Sequence, residues 1–167
     1  DIDLSGVEYF DARSFYGKSI TNTDFADAIE IGDNAFYNCL NISGTVRLPN
    51  AVQIYSGAFY VPMQSESGSA SAGNITGVEL GDSLVGLGGG AFFNSRIQTI
   101  HLPASLEIIG SPAFAGCTGL MRITVDAENE TFFVDSTYGG LYRYLDNGTY
   151  ELVAVPKDRK STRLNSS

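Results

Sequence analysis

The amino-acid sequence predicts a β-rich repeat solenoid, and three observations support this prediction. The dipeptide Ala-Phe recurs along the chain, its copies are spaced by a similar interval, and the same apolar columns accompany each copy. The copies are Ala35-Phe36, Ala58-Phe59, Ala91-Phe92 and Ala113-Phe114, with a degenerate one at Ser14-Phe15. Such a period means that each unit can bury its apolar face only against its neighbours, as in a solenoid.

The interval between units is typical of leucine-rich repeats. Successive repeat phenylalanines are 21, 23, 33 and 22 residues apart, and leucine-rich repeats have periods of about 20–29 residues. The long interval contains the polar run from Gln64 to Gly73, which predicts an insertion in an otherwise normal unit. We therefore expect a right-handed leucine-rich-repeat solenoid, a β-rich coil with short helical turns at most.

The unit at 98–120 shows why each element should form. Ile100 and Leu102 alternate with His101, a period of two that predicts a short strand. Pro103 should end this strand, because proline has no N–H for a continuing ladder. The small alanine beside each repeat phenylalanine should let the coil close tightly around the ring.

The interior of the coil is predicted from the same columns. The expected structural core includes the rings and thiols of Phe36, Phe59, Phe92, Phe114, Cys39 and Cys117. Three rungs should separate the two cysteines by roughly 14 Å, which is too far for a disulfide, so we expect two free buried thiols. Glycines at Gly32 and Gly110 predict turn residues with positive φ.

The segment after the repeats predicts a cap. About four and a half units are expected within 1–125, followed by a capping segment at 126–157. A β-hairpin from Phe132 to Pro156 is expected to turn at Asp146-Asn147-Gly148, since Asn-Gly is a strong hairpin signal. This hairpin would cover the apolar edge of the last coil.

The two ends of the sequence also predict something about its origin. The tail at 158–167 breaks the composition abruptly and resembles the in-frame translation of a sequencing-library adapter, so we expect it to be non-native. The chain opens on Asp1 rather than Met, and Ile2 and Leu4 already resemble a strand of an incomplete repeat, which predicts an internal fragment of a longer protein. The lack of a signal-peptide pattern at the start is therefore uninformative.

Three segments carry a resemblance to a known family. They are LPASLEIIGSPAFAGCTGLMRITV at 102–125, IEIGDNAFYNCLNI at 29–42, and the Gly-Leu-Tyr and Leu-Val-x-x-Pro strands within 129–157. Together they resemble the BspA-like leucine-rich repeats of bacterial surface proteins. The departures from the family pattern are Gly81, where proline is favoured, and Pro62 and Ser95, where cysteine is favoured.

The resemblance implies a non-enzymatic module, extracellular or on the cell surface, that binds another macromolecule. The implied partners are extracellular proteins of a host, such as a matrix protein, or proteins of a partner cell. Two other functions stay open. One is a passive structural spacer, and the other is a carbohydrate-binding accessory module of a larger surface enzyme, with a glycan as the partner.

Charge and hydropathy argue against two classes of partner. With 10 Lys and Arg against 19 Asp and Glu, the net charge is −9, whereas nucleic-acid binding requires clustered basic residues. The same charge argues against binding to anionic membranes. No run of about 20 apolar residues occurs in the sequence, so no membrane insertion is expected for this fragment.

Motifs that could carry catalysis are weak. Gly86 to Ala91 matches the dinucleotide pattern G-x-G-x-x-A. However, Ala91 is already part of an Ala-Phe repeat copy, and the repeat is too short to include the long helix that this motif needs. His101 is the only histidine and cannot form a histidine-based zinc site alone. The alternating acids Asp126, Glu128 and Glu130 fit a solvated edge better than a glycosidase cleft. We therefore expect no enzyme activity, no cofactor and no metal.

Two stripes of side chains are candidate binding surfaces. The outward positions of the main strands form the strand-face stripe, which consists of Asp24, Arg47, Glu79, His101 and Thr124. The residues after each repeat phenylalanine form the aromatic stripe, which consists of Tyr16, Tyr37, Tyr60 and Phe93. The first stripe suits a protein ligand, although a plain solvated sheet face is the alternative. The second could bind sugars or proteins, although stacking that stabilises the coil is the alternative.

Overall fold

The computed structural model describes residues 2–63 and 73–157 and shows a coil of short β-strands. In chain order the strands are β1 Tyr9–Phe10, β2 Glu30–Ile31, β3 Ser43–Leu48, β4 Gln53–Ile54, β5 Asn74–Leu80, β6 Gly86–Leu87, β7 Thr99–Leu102, β8 Ile108–Ile109, β9 Arg122–Val125, β10 Phe132–Val134, β11 Leu141–Tyr144 and β12 Tyr150–Ala154. Within these ranges no helix has the length and apolar character needed to cross a bilayer. The predicted insertion, apart from Gly73, and the predicted non-native tail lie outside the described residues.

One two-residue strand from each of five coils builds the first face of the solenoid. These strands pair in parallel in the order β1-β2-β4-β6-β8. The second residue of each strand points into the core and is buried, namely Phe10, Ile31, Ile54, Leu87 and Ile109. Parallel neighbours must be joined by a crossover connection, and here a full turn of the coil supplies it.

Longer strands form the second face, and their side chains alternate as a period of two requires. β3 pairs with β5, and β7 pairs with β9, all in parallel. Val46 and Leu48 are buried on either side of the exposed Arg47. Asp24 extends this face to the preceding coil through an isolated parallel bridge to Arg47.

The Ala-Phe segments form the third side as hydrogen-bonded turns, with no helix among the described residues. The amides of Phe15, Phe36 and Phe59 donate to the alanine carbonyls of the following coil at 2.7–2.8 Å. Two residues before the repeat phenylalanine, the backbone is left-handed in four coils, at Arg13, Asn34, Gly57 and Gly90. Asparagine and glycine suit this conformation, which turns the chain into each segment.

The repeat phenylalanines stack along the axis of the coil. Ring centroids are 5.2 Å apart for Phe15 and Phe36, 5.0 Å for Phe36 and Phe59, and 5.4 Å for Phe59 and Phe92. Phe36, Phe59 and Phe92 are at most 2% exposed. Phe114 differs from the expectation, because it is only partly buried against the core. It belongs to the last coil and lines a cleft between that coil and the end of the cap, at Val153 and Val155, so no further repeat phenylalanine stacks on it.

The expected role of Gly32 and Gly110 is wrong. Neither residue has positive φ. At Gly32 a Cβ would lie 2.5 Å from the carbonyl oxygen of Phe10, and at Gly110 it would overlap the amide nitrogen of Gly89. These glycines are therefore required because adjacent coils approach closely, not because the turn is left-handed.

Gly81 makes the tightest approach of this kind, which gives a prediction. A Cβ there would overlap the carbonyl oxygen of Pro49, a backbone atom that cannot swing away. We expect Gly81→Ala to lower the free energy of unfolding by about 1–3 kcal/mol, the usual cost of overpacking. Urea unfolding followed by circular dichroism would measure the change.

Gly119→Ala is the matched control for this substitution. Its Cβ would meet backbone atoms at 3.6–3.8 Å, which is ordinary contact, and its φ is not positive. The added methyl group restricts the unfolded chain, so Gly119→Ala should be neutral or stabilising by up to about 1 kcal/mol. Equal losses of unfolding free energy at both positions would show that the close approach of Pro49 is not the reason why glycine is required at position 81.

Cys39 and Cys117 are free and buried. Each thiol donates to the carbonyl of the repeat phenylalanine in the preceding coil, Cys39 to Phe15 at 3.0 Å and Cys117 to Phe92 at 3.3 Å. Burial raises the pKa of both thiols above the usual value. The same column holds Ser95, whose Oγ lies 3.3 Å from Sγ of Cys117, so a hydroxyl replaces the thiol there.

The cap contains one strand more than the expected hairpin. β10, β11 and β12 form a three-stranded antiparallel sheet, so the chain reverses at 135–140 as well as at 145–149. The first reversal forms because the Asp135 carboxylate accepts backbone N–H groups of Thr137, Tyr138 and Gly140 at 2.8–2.9 Å. The bond from Tyr138 contributes most to lowering the pKa of Asp135.

Candidate functional site

The structure brings three members of the strand-face stripe into one ion-paired group. Asp24, Arg47 and Glu79 occupy equivalent positions on neighbouring rungs. Arg47 Nε lies 2.9 Å from Glu79 Oε2, and its Nη1 lies 3.4 Å from Asp24 Oδ2. All three side chains are more than half exposed. Such exposed ion pairs contribute little to the stability of a fold. Their main effect is to hold the three side chains in a fixed arrangement on the surface.

The other two members of the strand-face stripe form a separate pair. His101 and Thr124 are register partners on β7 and β9, and His101 Nδ1 lies 2.9 Å from Thr124 Oγ1. β5 and β7 contact each other but belong to different two-stranded sheets. The stripe is thus one surface with an interruption between Glu79 and His101.

A cleft continues the strand-face stripe at the first coil. It has a volume of about 240 Å³ and is lined by Asp24 together with Ile2, Asp3, Leu4, Ser5, Asn22, Ala26 and Asp27. A hydrogen bond from the hydroxyl of Ser5 lowers the pKa of Asp3, and Asp27 accepts the amide of Gly6 at 2.8 Å. This end of the stripe is therefore negatively charged at neutral pH.

The aromatic stripe forms a continuous stack. Centroid distances are 4.5 Å for Tyr16 and Tyr37, 5.1 Å for Tyr37 and Tyr60, and 4.3 Å for Tyr60 and Phe93, with interplanar angles of 4–7°. The next coil carries Ala115 in this column, so the stack ends at Phe93. Because neighbouring rings occupy each other's faces, the stripe presents mainly ring edges to solvent.

The residues that could suggest catalysis have structural surroundings. Gly86 and Leu87 form β6, and turns rather than a helix follow it. The Asp126 carboxylate accepts the amide of Glu128 at 2.9 Å, as in a local turn. Among residues 2–63 and 73–157 no group of three or more His, Cys, Asp or Glu side chains is arranged to hold a metal ion.

The outward side of the cap sheet is a surface that we did not predict, although the sequence contains a pattern that indicates it. Strand register places five apolar side chains on the outward side of the cap sheet, and we call them the cap aromatic face: Phe133, Tyr142, Tyr144, Tyr150 and Leu152. Phe132 and Leu141 point the other way and are buried. Alternation in Tyr142-x-Tyr144 and Tyr150-x-Leu152 is the period-two pattern that could have revealed this surface.

Comparisons with solved structures show proteins of similar fold. A leucine rich cell surface protein from Faecalibacterium prausnitzii has a TM-score of 0.52 and 24% identity over 87% of this chain and 49% of its own. The pneumococcal vaccine antigen PcpA has a TM-score of 0.61 and 22% identity over 80% of this chain and 31% of its own. The chain thus spans half or less of these proteins. A comparison with curated proteins finds no match.

The family comparison agrees with the repeat columns described above. The BspA type leucine rich repeat region matches residues 8–67 and 67–138, in six copies. These residues include all five strands of the first face and both pairs of the second. The chain therefore belongs to the family of BspA type leucine rich repeats.

Proposed function

We propose that this chain is a non-enzymatic binding module of a surface-exposed or secreted protein. On this proposal it adheres to extracellular proteins of a host, such as a matrix protein, or of a partner cell. The observation that carries the proposal is the ion-paired group of Asp24, Arg47 and Glu79 on an exposed strand face. The surface location is supported by the names of the two solved proteins, a cell surface protein and a vaccine antigen.

Charge indicates the kind of protein segment that this face would bind. The group of Asp24, Arg47 and Glu79 has a formal charge of −1, and the adjoining cleft adds Asp3 and Asp27. A basic segment of a partner would be attracted to these carboxylates, and such complementarity speeds association. Acidic partners would be repelled by the chain, whose net charge is −9.

Binding to immobilised extracellular-matrix proteins would test this proposal. The full chain should bind at least one of fibronectin, laminin and collagen saturably, and more weakly at high salt. The double substitution Asp24→Asn with Glu79→Gln, which removes both carboxylates of the ion-paired group, should raise the dissociation constant at least about tenfold, as for other hot-spot residues. Surface plasmon resonance would measure both effects.

A charge-matched control separates the strand face from net charge. Asp82→Asn with Glu107→Gln also removes two carboxylates from exposed positions outside the strand-face stripe, and it should bind as the wild type does. Equal weakening by both double variants would contradict a strand-face site. Absence of saturable binding to every protein would favour a passive spacer, a function that the stiffening stack of Tyr16 to Phe93 would also suit.

A further inference from the structure

We infer that the cap aromatic face is a second binding site, distinct from the strand face, whose ligand is an uncharged hexose glycan. Tyr144, Tyr150 and Leu152 are 48%, 59% and 53% exposed. Contiguous exposed apolar side chains of this kind are uncommon on soluble proteins and mark binding sites. The inference does not depend on the strand-face proposal, because the two surfaces share no residue.

Ring orientation distinguishes the cap aromatic face from the aromatic stripe. Phe133 and Tyr142 stack at 5.5 Å, whereas Tyr150 stands nearly perpendicular to both Phe133 and Tyr144, at 75° and 70°. The rings of the aromatic stripe lie within 7° of parallel and occupy each other's faces. Tyr150 is 59% exposed and contacts both neighbouring rings at these steep angles, so no parallel ring of the cap cluster stacks on it, and an apolar sugar face can pack against it.

Charge on the cap sheet favours a neutral ligand. All five outward side chains are uncharged, whereas Arg143 and Glu151 lie on the opposite side of the sheet and pair with each other. The cap aromatic face thus offers no charge that would attract an ionic partner. A second copy of the chain would bring two net charges of −9 together, and the resulting repulsion opposes self-association.

The tyrosine hydroxyls supply the polar part of the proposed recognition. Tyr142, Tyr144 and Tyr150 each carry a hydroxyl that both donates and accepts, and two of these hydroxyls belong to exposed side chains, those of Tyr144 and Tyr150. Ligand sites commonly combine aromatic walls with a few polar groups that fix orientation. A hexose polymer matches this combination, because it has apolar ring faces and hydroxyl groups and carries no charge.

Affinity electrophoresis of the full chain would test the inference. Native gels would contain hydroxyethylcellulose, galactomannan or soluble starch as neutral glycans, and carboxymethylcellulose as the charged counterpart of the first. We expect at least one neutral glycan to retard the protein, and carboxymethylcellulose to retard it less than hydroxyethylcellulose does. Tyr144→Ala with Tyr150→Ala should raise the apparent dissociation constant at least about tenfold.

Control variants define the results that would overturn the inference. Tyr138→Ala removes a tyrosine that is 78% exposed and lies outside the cluster, in the turn between β10 and β11, so binding should persist. Tyr150→Phe keeps the ring and should retain most of the binding. This result would show that a substitution at this position does not abolish binding through a folding defect. Lack of retardation by all three neutral glycans would overturn the inference. The inference would also be overturned if a glycan retarded the Tyr144→Ala, Tyr150→Ala variant as much as the wild type. A third contrary result would be a wild-type dimer, seen by sedimentation equilibrium, that these two substitutions dissociate.

Discussion

Replacing Phe92 by alanine should lower the free energy of unfolding by about 3–5 kcal/mol, the usual cost of deleting a buried ring. Phe92 is fully buried and stacks on Phe59 at 5.4 Å. Phe114→Ala is the matched comparison, because Phe114 occupies the same column but is only partly buried. We expect it to cost about 1–2 kcal/mol, within the range of ordinary substitutions.

Urea unfolding of the two variants would measure this difference. In a repeat array a local defect can uncouple neighbouring coils, so the slope of free energy against urea must be compared as well as the midpoint. An unchanged slope with a lower midpoint would mean that the whole array became less stable. Equal losses for both variants would contradict the burial difference between the interior coil and the last one.

The interior of the coil could be predicted from the sequence, because each column repeats under identical physical constraints. Every middle coil has a neighbour on both sides, so Phe36, Phe59 and Phe92 are buried to the same extent. Phe114 and the cap break this rule, since each has a neighbour of a different kind. The repeat pattern contains no information about the carboxylate of Asp135, which creates the additional strand.

The candidate surfaces were predictable to different degrees. Alternation along the strands was enough to place Arg47 and Glu79 on one exposed face, because period two fixes which side chains point outward and the flanking apolar columns, Val46 with Leu48 and Val78 with Leu80, fix their rungs. The division of the strand-face stripe at His101 was not predictable, since it depends on how β5 and β7 approach each other. Likewise, sequence supplies the aromatic columns but not the ring angles, which decide whether ring faces are available.

Glycine roles show a further limit of sequence reasoning. Positive φ and close backbone approach both select glycine, so the residue type cannot distinguish them. Gly32 is required by close backbone approach, whereas Gly57 and Gly90 adopt positive φ. Arg13 and Asn34 occupy the same left-handed column as Gly57 and Gly90, which shows that the turn conformation comes from the coil rather than from glycine alone.

Replacing Asn129 by alanine should lower the free energy of holding the cap on the last coil by about 3–5 kcal/mol. Asn129 is 8% exposed, and its Nδ2 donates to the carbonyls of Pro103 and Leu106 at 2.8 and 3.0 Å. Its Oδ1 accepts the amides of Thr131 and Phe132 at 2.9 and 2.7 Å. Alanine would leave several of these buried groups without a partner, at about 1–3 kcal/mol each.

Limited digestion with trypsin would measure this effect, because Arg143 lies in β11 of the cap. In the wild type the antiparallel pairing of β11 should protect the bond after Arg143, since cleavage requires local opening. Asn129→Ala should expose that bond at urea concentrations at which the coils remain folded by circular dichroism. Asn147→Ala is the matched control, since Asn147 heads a similar Asn-x-Thr triplet but lies exposed in the second cap turn. Equal cleavage rates for the two variants would mean that packing of Phe132 and Leu141, rather than the hydrogen bonds of Asn129, holds the cap in place.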